Sequence, residues 1–306
     1  MNTPAKKNLL LLFTDLDGTL LDHDTYDFSP ALPALKALQA AQVPLILCSS
    51  KTFPEMKYWS TALNIDDPFI AENGGALSIP KGYFSKPFDF HEARNGHRLI
   101  LLGASYPALR AALVEIARQA NLPLVGFGDL NIEQIAALTG LSLEQASLAK
   151  RRAADEPFFI GRDFGEDEVR RLETAVASKR LRLTRGGRFF HLTGENDKGK
   201  AVQLLTKLYR DEWQRTIRTV GLGDSLNDLP LLQAVDAPIL VRKKNGEIDE
   251  NVPAQVKAQV TTKPGPAGWN EAIIELLQGE TGHQGKQTQN KILKVFPPTD
   301  KSNNKE

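Results

Sequence analysis

The sequence predicts an α/β fold: a doubly wound, Rossmann-like parallel sheet carrying an inserted α+β cap domain. Three observations predict it. Apolar runs alternate with helix-like segments from residue 9 to about residue 84, the alternation resumes near residue 196, and the stretch between follows a different, less regular pattern.

The first run, LLLLFT (9–14), is unbroken and apolar, as expected of a parallel strand buried on both faces. Ser29-Pro30 then opens SPALPALKALQAAQ, with Ser29 as the expected N-cap and Pro30 at the first helical position. VPLILCSS reads as a second strand, TFPEMKYWSTAL as a second helix, and DPFIAENGGAL as a third strand ending at Asn73-Gly74-Gly75. This succession implies right-handed crossovers, and ligands of such sheets gather at the carboxyl ends of the strands. Asp15, Asp17, Ser49, Ser50 and Asn73 all fall there. The middle third holds helical segments (YPALRAALVEIARQANL, LTGLSLEQASLAKRRA, GEDEVRRLETAVASK) and strand-like pieces (EPFFIGR, LRLTRGGRFFHLT). Beyond it come a helix in NDKGKAVQLLTKLYRD, a strand in TIRTVGLGDS, a helix in DLPLLQAV, a short strand in APILVRK and a helix in WNEAIIELLQ. The expected organisation is a core of 1–84 and 191–280, a cap of 85–190 that reads the substrate, and a disordered polar tail of 281–306.

Composition narrows the function. The chain has 306 residues, 41% hydrophobic and 25% charged, as an ordinary globular enzyme does. A formal net charge of +1 offers no attraction to nucleic acid or to a membrane surface. The single cysteine, Cys48, excludes an intrachain disulfide and suits a reducing compartment. The leucines after MNTPAKKN are too few for a signal peptide and run into Asp15 and Asp17; no stretch approaches the roughly 20 apolar residues of a membrane span. A cytoplasmic enzyme acting on a small molecule is expected; oligomeric state has no signature here.

Two carboxylates one residue apart, Asp15 and Asp17 in DLDGT, fit either a turn or an active site when taken alone. VGLGDSLNDLPLL repeats the pattern of apolar strand, glycine and acid, placing Asp224, Asn227 and Asp228 at the mouth of a helix. Clustered carboxylates repel one another and are tolerated mainly where a cation neutralises them, and oxygen-only donors favour Mg²⁺. Lys198 and Ser49 add a cation and a hydroxyl able to hold an anion beside that metal, and phosphate fits. Other features carry no chemistry. The five histidines lack metal spacing, Gly126-Phe127-Gly128 lacks the context of a dinucleotide site, and Trp59, Trp213 and Trp269 lie in helical stretches as core residues.

DLDGT, the serine after the second strand, Lys198 at a helix start and GDSLND, in this order, resemble the haloacid dehalogenase superfamily of phosphohydrolases over about residues 8–280. The resemblance implies Asp15 as nucleophile forming an aspartyl-phosphate and Asp17 as general acid and then base. It implies Ser49 (with Ser50 as competitor) and Lys198 as holders of the phosphoryl group. It also implies Mg²⁺ on Asp15, the Asp17 main-chain carbonyl, Asp224 and Asp228, with Asn227 in support. SSKTFPE, ENGGAL, DEPF and RGGRFFHLTG are further similar to the mannosyl-3-phosphoglycerate phosphatases of that superfamily. That likeness implies hydrolysis of a mannosyl- or glucosyl-3-phosphoglycerate, with Lys51, Asn73, Gly74, Arg152, Arg185, Arg188 and His191 as substrate-binding residues. Ala153-Ala154 stands where a charged or aromatic pair is expected. A broader sugar-phosphate phosphatase, a phosphomannomutase-like transferase and a non-catalytic phosphosugar binder are the other readings.

Overall fold

Leu9–Thr14 forms strand β1 of a computed structural model that describes residues 9–186 and 189–292. Leu12 points to one apolar layer, with Leu45, Leu47, Trp269 and Ile273, and Leu11 and Phe13 point to the other, with Ile46, Val202, Leu205 and Tyr209. Burial on both faces is why the run has no polar alternation; each leucine so buried contributes about 1.5–3 kcal/mol.

The strands that follow are β2 (Leu45–Cys48), β3 (Phe69–Ala71), β4 (Ala76–Pro80), β5 (Glu92–Arg94) and β6 (His97–Leu101). Next come β7 (Leu124–Gly126), β8 (Asp155–Ile160), β9 (Arg182–Gly186) and β10 (Phe189–Thr193), and then β11 (Ile217–Gly223), β12 (Ala237–Arg242) and β13 (Gln259–Pro264). The larger sheet has the order β13-β12-β11-β1-β2-β3-β4-β6-β5, parallel from β13 to β3 and antiparallel beyond. The smaller is antiparallel, in the order β7-β8-β10-β9.

The helices are α1 (Leu32–Ala40), α2 (Phe53–Ala62), α3 (Tyr106–Ala120), α4 (Ile132–Thr139), α5 (Leu143–Ala149), α6 (Glu166–Ser178), α7 (Lys198–Trp213), α8 (Leu229–Gln233) and α9 (Gly265–Ile292). α1, α2 and α9 cover one face of the larger sheet, and α7 and α8 the other. On the smaller sheet α3 and α6 pack against Phe158, Phe190 and Leu192, while α4 and α5 reach Phe127, Phe159 and Phe189 on the opposite face.

The structure departs from the sequence reading at several boundaries. Ser29 does not cap: Ser29–Ala31 is a 3-10 turn and α1 begins at Leu32, because the Ser29 hydroxyl is bonded to Asp27. Thr52 does cap α2, in a reciprocal box with Glu55. The third strand stops at Ala71 and β4 turns back against it, since Glu72 and Asn73 take left-handed backbone angles. Glu92–Arg94 and His97–Leu101, expected in the cap, extend the larger sheet, whereas Phe189–Thr193 belongs wholly to the smaller one. The tail expected to be disordered from 281 starts as helix. α9, nucleated where Trp269 and Ile273 pack on the sheet, continues to Ile292, since each added residue closes one more hydrogen bond. Residues 293–306 lie outside the described residues.

Candidate active site

Polar groups from separate parallel strands meet at one edge because each strand ends there. The Asp15 amide donates to the Leu222 carbonyl (2.9 Å), which ties the end of β1 to β11, the strand that delivers Asp224. Gly18 turns the chain at a φ of +81°, and a Cβ there would stand 2.8 Å from an Asp224 carboxylate oxygen. Glycine at this position lets the first loop lie against the second acid.

Lys198 opens α7, whose N-cap Asp197 accepts from the Lys200 amide. Its buried ammonium donates to Asp15 Oδ1 (2.7 Å) and Asp228 Oδ1 (2.6 Å). Asp228 accepts in turn from the amides of Asp224 (3.1 Å) and Ser225 (3.3 Å). Carboxylate oxygens of Asp15, Asp224 and Asp228 lie within 4.8 Å of one another. Burial, then repulsion from Asp228 and Asp17, outweighs the pull of Lys198 and lifts the Asp15 carboxyl to about 7. Asp224 is pushed well above the usual carboxylate range by burial and by Asp228 and Asp15. Burial opposes the charge on Lys198, but the two aspartates prevail and raise it, so the side chain remains an ammonium.

Three converging acids against one lysine form a donor set in need of a second cation. The donors are hard oxygens, so the group fits Mg²⁺. Because folding raises these carboxyl pKa values, the metal-free protein holds their neutral forms best. The stability they contribute is complete below the unfolded value of about 4 and is lost as pH rises through about 7. Mg²⁺ should therefore raise Tm more at about pH 8 than at about pH 5.5. Melting curves with Mg²⁺ and with chelator check this; equal increments at both values would contradict the cluster as the binding site.

The other sequence-predicted residues surround this centre. Asp17 is paired with Lys51 (2.9 Å), whose ammonium also lies over the Tyr26 ring. The buried Ser49 hydroxyl accepts from the Lys51 amide (3.2 Å). Asn73 accepts from Asn227 (3.1 Å) and donates to Asp155 (3.0 Å). His191 Nδ1 contacts the same Asp155 carboxylate, and Arg152 binds the Ser50 carbonyl and lies 3.7 Å from Asp155. Asp155 and Glu72 are the residues the sequence reading missed. The buried Glu72 carboxylate accepts from the amides of Ala153, Ala154 and Asp155, fastening the end of β3 to the start of β8. Both stand in stretches already singled out (ENGGAL and DEPF), but the amides that bind Glu72, and the Asn73 and His191 side chains that bind Asp155, lie far off in the chain. Arg185 is not brought to the centre. It is opposite Phe190 in the register and lies over the Phe190 and Phe164 rings, on the sheet face away from His191. Arg188 lies outside the described residues. Cys48 is buried and its thiol is pushed well up by that burial, so it offers no thiolate.

Gly74 joins the core loop to the lysine's helix. Its φ is +88°, and an added Cβ would overlap the Asp197 carbonyl. Gly82 has a φ of +83° with open space around it. Gly82→Ala should cost only the left-handed strain of about 1–2 kcal/mol, and Gly74→Ala distinctly more. Comparable melting losses in the two variants would show that the overlap at Gly74 is relieved.

A family model described as haloacid dehalogenase-like hydrolase matches residues 12–95. A glucosyl-3-phosphoglycerate/mannosyl-3-phosphoglycerate phosphatase of Methanococcoides burtonii is 43% identical over 268 residues, spanning 87% of this chain and 97% of its own. A protein of the same description from Persephonella marina is 40% identical over 271 residues, spanning 88% and 97%. Among solved structures, a protein of Thermoplasma acidophilum superposes with a TM-score of 0.61 at 18% identity, over 88% of this chain and 98% of that one. A sugar phosphatase of haloacid dehalogenase subclass IIB does so with a TM-score of 0.60, also at 18% identity, over 87% and 98%. At that identity the likeness is one of fold.

Proposed function

The chain belongs to the haloacid dehalogenase-like hydrolases and is a phosphoric monoester hydrolase, and from this premise we propose that it releases phosphate from glucosyl- or mannosyl-3-phosphoglycerate through a phosphorylated Asp15. The observation that carries the chemistry is the place of Asp15: a strand-end carboxylate bonded to Lys198 at 2.7 Å, with Asp224 and Asp228 oxygens within 4.8 Å. The two phosphatase relatives, similar over nearly their whole length, support the substrate.

Asp15 attacks phosphorus and the ester oxygen leaves, with Asp17 donating the proton that oxygen needs. Asp17 then takes a proton from the water that attacks the aspartyl-phosphate, which restores the Asp15 carboxylate and returns Asp17 to its protonated form. Lys51 restrains Asp17 between the two steps. Lys198 and the Ser49 hydroxyl hold non-bridging oxygens of the transferring group, and Lys198 offsets its charge. Asp15, Asp224 and Asp228, with the Asp17 carbonyl, would hold Mg²⁺, which would supply the charge neutralisation that lets an anionic carboxylate approach an anionic phosphate. The smaller sheet serves as the cap that excludes water and reads the unreacting part of the substrate; β9 comes up against the Leu226–Asp228 turn beside the acids.

Phosphate release from mannosyl- and glucosyl-3-phosphoglycerate, 3-phosphoglycerate, mannose 6-phosphate and an aryl phosphate, with and without Mg²⁺, tests the reading. A large Mg²⁺-dependent preference for a glycosyl-3-phosphoglycerate is expected. Activity on the aryl phosphate without that preference would discard the substrate, and a requirement for a sugar bisphosphate would replace hydrolysis by phosphoryl transfer between sugars.

A further inference from the structure

The mechanism above names no residue on the face that the smaller sheet turns toward the core. Thr184, on β9, is the cross-strand partner of His191, on β10, so the two side chains stand next to each other on that face. The same face is tied to the core at two points. Arg182 pairs with Asp197, the residue that caps the Lys198 helix (2.6 Å), and Asp155 accepts from Asn73 (3.0 Å). Arg182, Thr193 and Asp155 form one cross-strand row, and Thr184 and His191 stand in the next row on the same face, beside these anchors. The Thr184 hydroxyl is buried and has no hydrogen-bond partner among the described residues. A buried hydroxyl left alone costs free energy, which a ligand hydroxyl would relieve.

Asp155 settles the chemistry of the ring. Its carboxylate, wholly buried, faces His191 Nδ1 at 2.9 and 3.1 Å. A carboxylate only accepts, so Nδ1 carries the proton, and Nε2 is the nitrogen that can meet a ligand. A ring nitrogen beside a hydroxyl suits the O–H groups of a sugar, which both donate and accept.

We propose that Thr184 and His191, with the imidazole held by Asp155, form the subsite that reads hydroxyls of the glycosyl ring. The assignment rests on the glycosyl-3-phosphoglycerate reading and goes beyond it by naming what distinguishes one ring from another. Asp155 is a positioning residue that acts through His191.

The test uses the full chain with Mg²⁺ and both glycosyl-3-phosphoglycerates. Thr184→Val is nearly isosteric and removes only the hydroxyl. It should raise KM about tenfold, change kcat less than about threefold, and shift the mannosyl-to-glucosyl ratio of kcat/KM by at least about threefold. Thr184→Ser, which keeps the hydroxyl, should retain the wild-type ratio. His191→Gln should raise KM to a similar degree. The double variant Asp155→Asn/His191→Gln should be no worse than His191→Gln alone by more than about twofold, since the aspartate acts through the ring. A purely structural role would lower the melting temperature without moving the ratio. Unchanged KM and ratio in Thr184→Val and His191→Gln, or multiplicative losses in the double variant, would overturn the assignment alone. A wild-type enzyme with no preference for either glycosyl substrate over an aryl phosphate would overturn the substrate reading and this assignment with it.

Discussion

Asp15→Asn should lower turnover by about 10⁴-fold or more while the fold persists, because an amide cannot form the acyl phosphate and the remaining groups can only bind and orient. Its effect on stability runs the other way from most substitutions of buried polar groups. Folding raises the Asp15 carboxyl to about 7, so above that pH the metal-free protein holds an unfavourable charge. The amide removes this charge and its repulsion of Asp224 and Asp228, and Lys198 keeps Asp228 as partner. At about pH 8 in chelator, Asp15→Asn should melt at or above the wild-type temperature, and its increment on adding Mg²⁺ should shrink. Retention of more than about one part in a hundred of the wild-type turnover would remove Asp15 from the nucleophile's role.

Lys198→Met carries the second large effect, on stability and rate together. The ammonium is the hydrogen-bonded cation that Asp15 and Asp228 share, and all three groups are buried. Methionine fills a similar volume but leaves two carboxylates without their counter-charge, at a cost of about 3–5 kcal/mol when both are ionised. Since Asp15 takes up a proton below about 7, the loss should be smaller at about pH 5 than at about pH 8, and Mg²⁺ should restore part of it. Turnover should fall by about 10³-fold even where the protein is folded, because the charge that developed on the phosphoryl oxygens has lost its donor. Denaturant midpoints at the two pH values, alongside kcat, measure both. A pH-independent loss would mean that Lys198 matters chiefly as packing.

The centre was legible in the sequence because its information is local. An apolar run ending in Asp15, another ending in Asp224, and Lys198 behind an N-cap each announce a strand end or a helix start, and the sheet's topology does the rest. The cap was not legible in the same way. Arg185 and His191 are both near a hairpin whose register decides their faces, and a shift of one residue exchanges them. The register places His191 toward Asp155 and Arg185 against phenylalanine rings, a choice that composition does not announce. Glu72 and Asp155 were passed over for a related reason. The amides that bind Glu72 lie 81–83 residues away, and Asn73 lies 82 residues from Asp155, so these pairs meet only when the smaller sheet lies on the larger. Short-range signals also competed: Ser29-Pro30 and Thr52 with Pro54 both look like helix starts, but only Thr52 has a glutamate three residues on to complete the box.

The central claim is that the Asp15 carboxylate itself becomes phosphorylated and that Asp17 is needed to release it. The direct measurement is acid quenching of the Asp17→Asn variant during turnover of an aryl phosphate with Mg²⁺, followed by peptide mass analysis. An aryl leaving group needs little protonation, so the first step proceeds, while the second lacks its base and the intermediate accumulates. A phosphoryl adduct on the peptide containing Asp15, absent from Asp15→Asn, is the predicted result. Phosphate release with no such adduct, or an adduct on a different residue, would contradict the account.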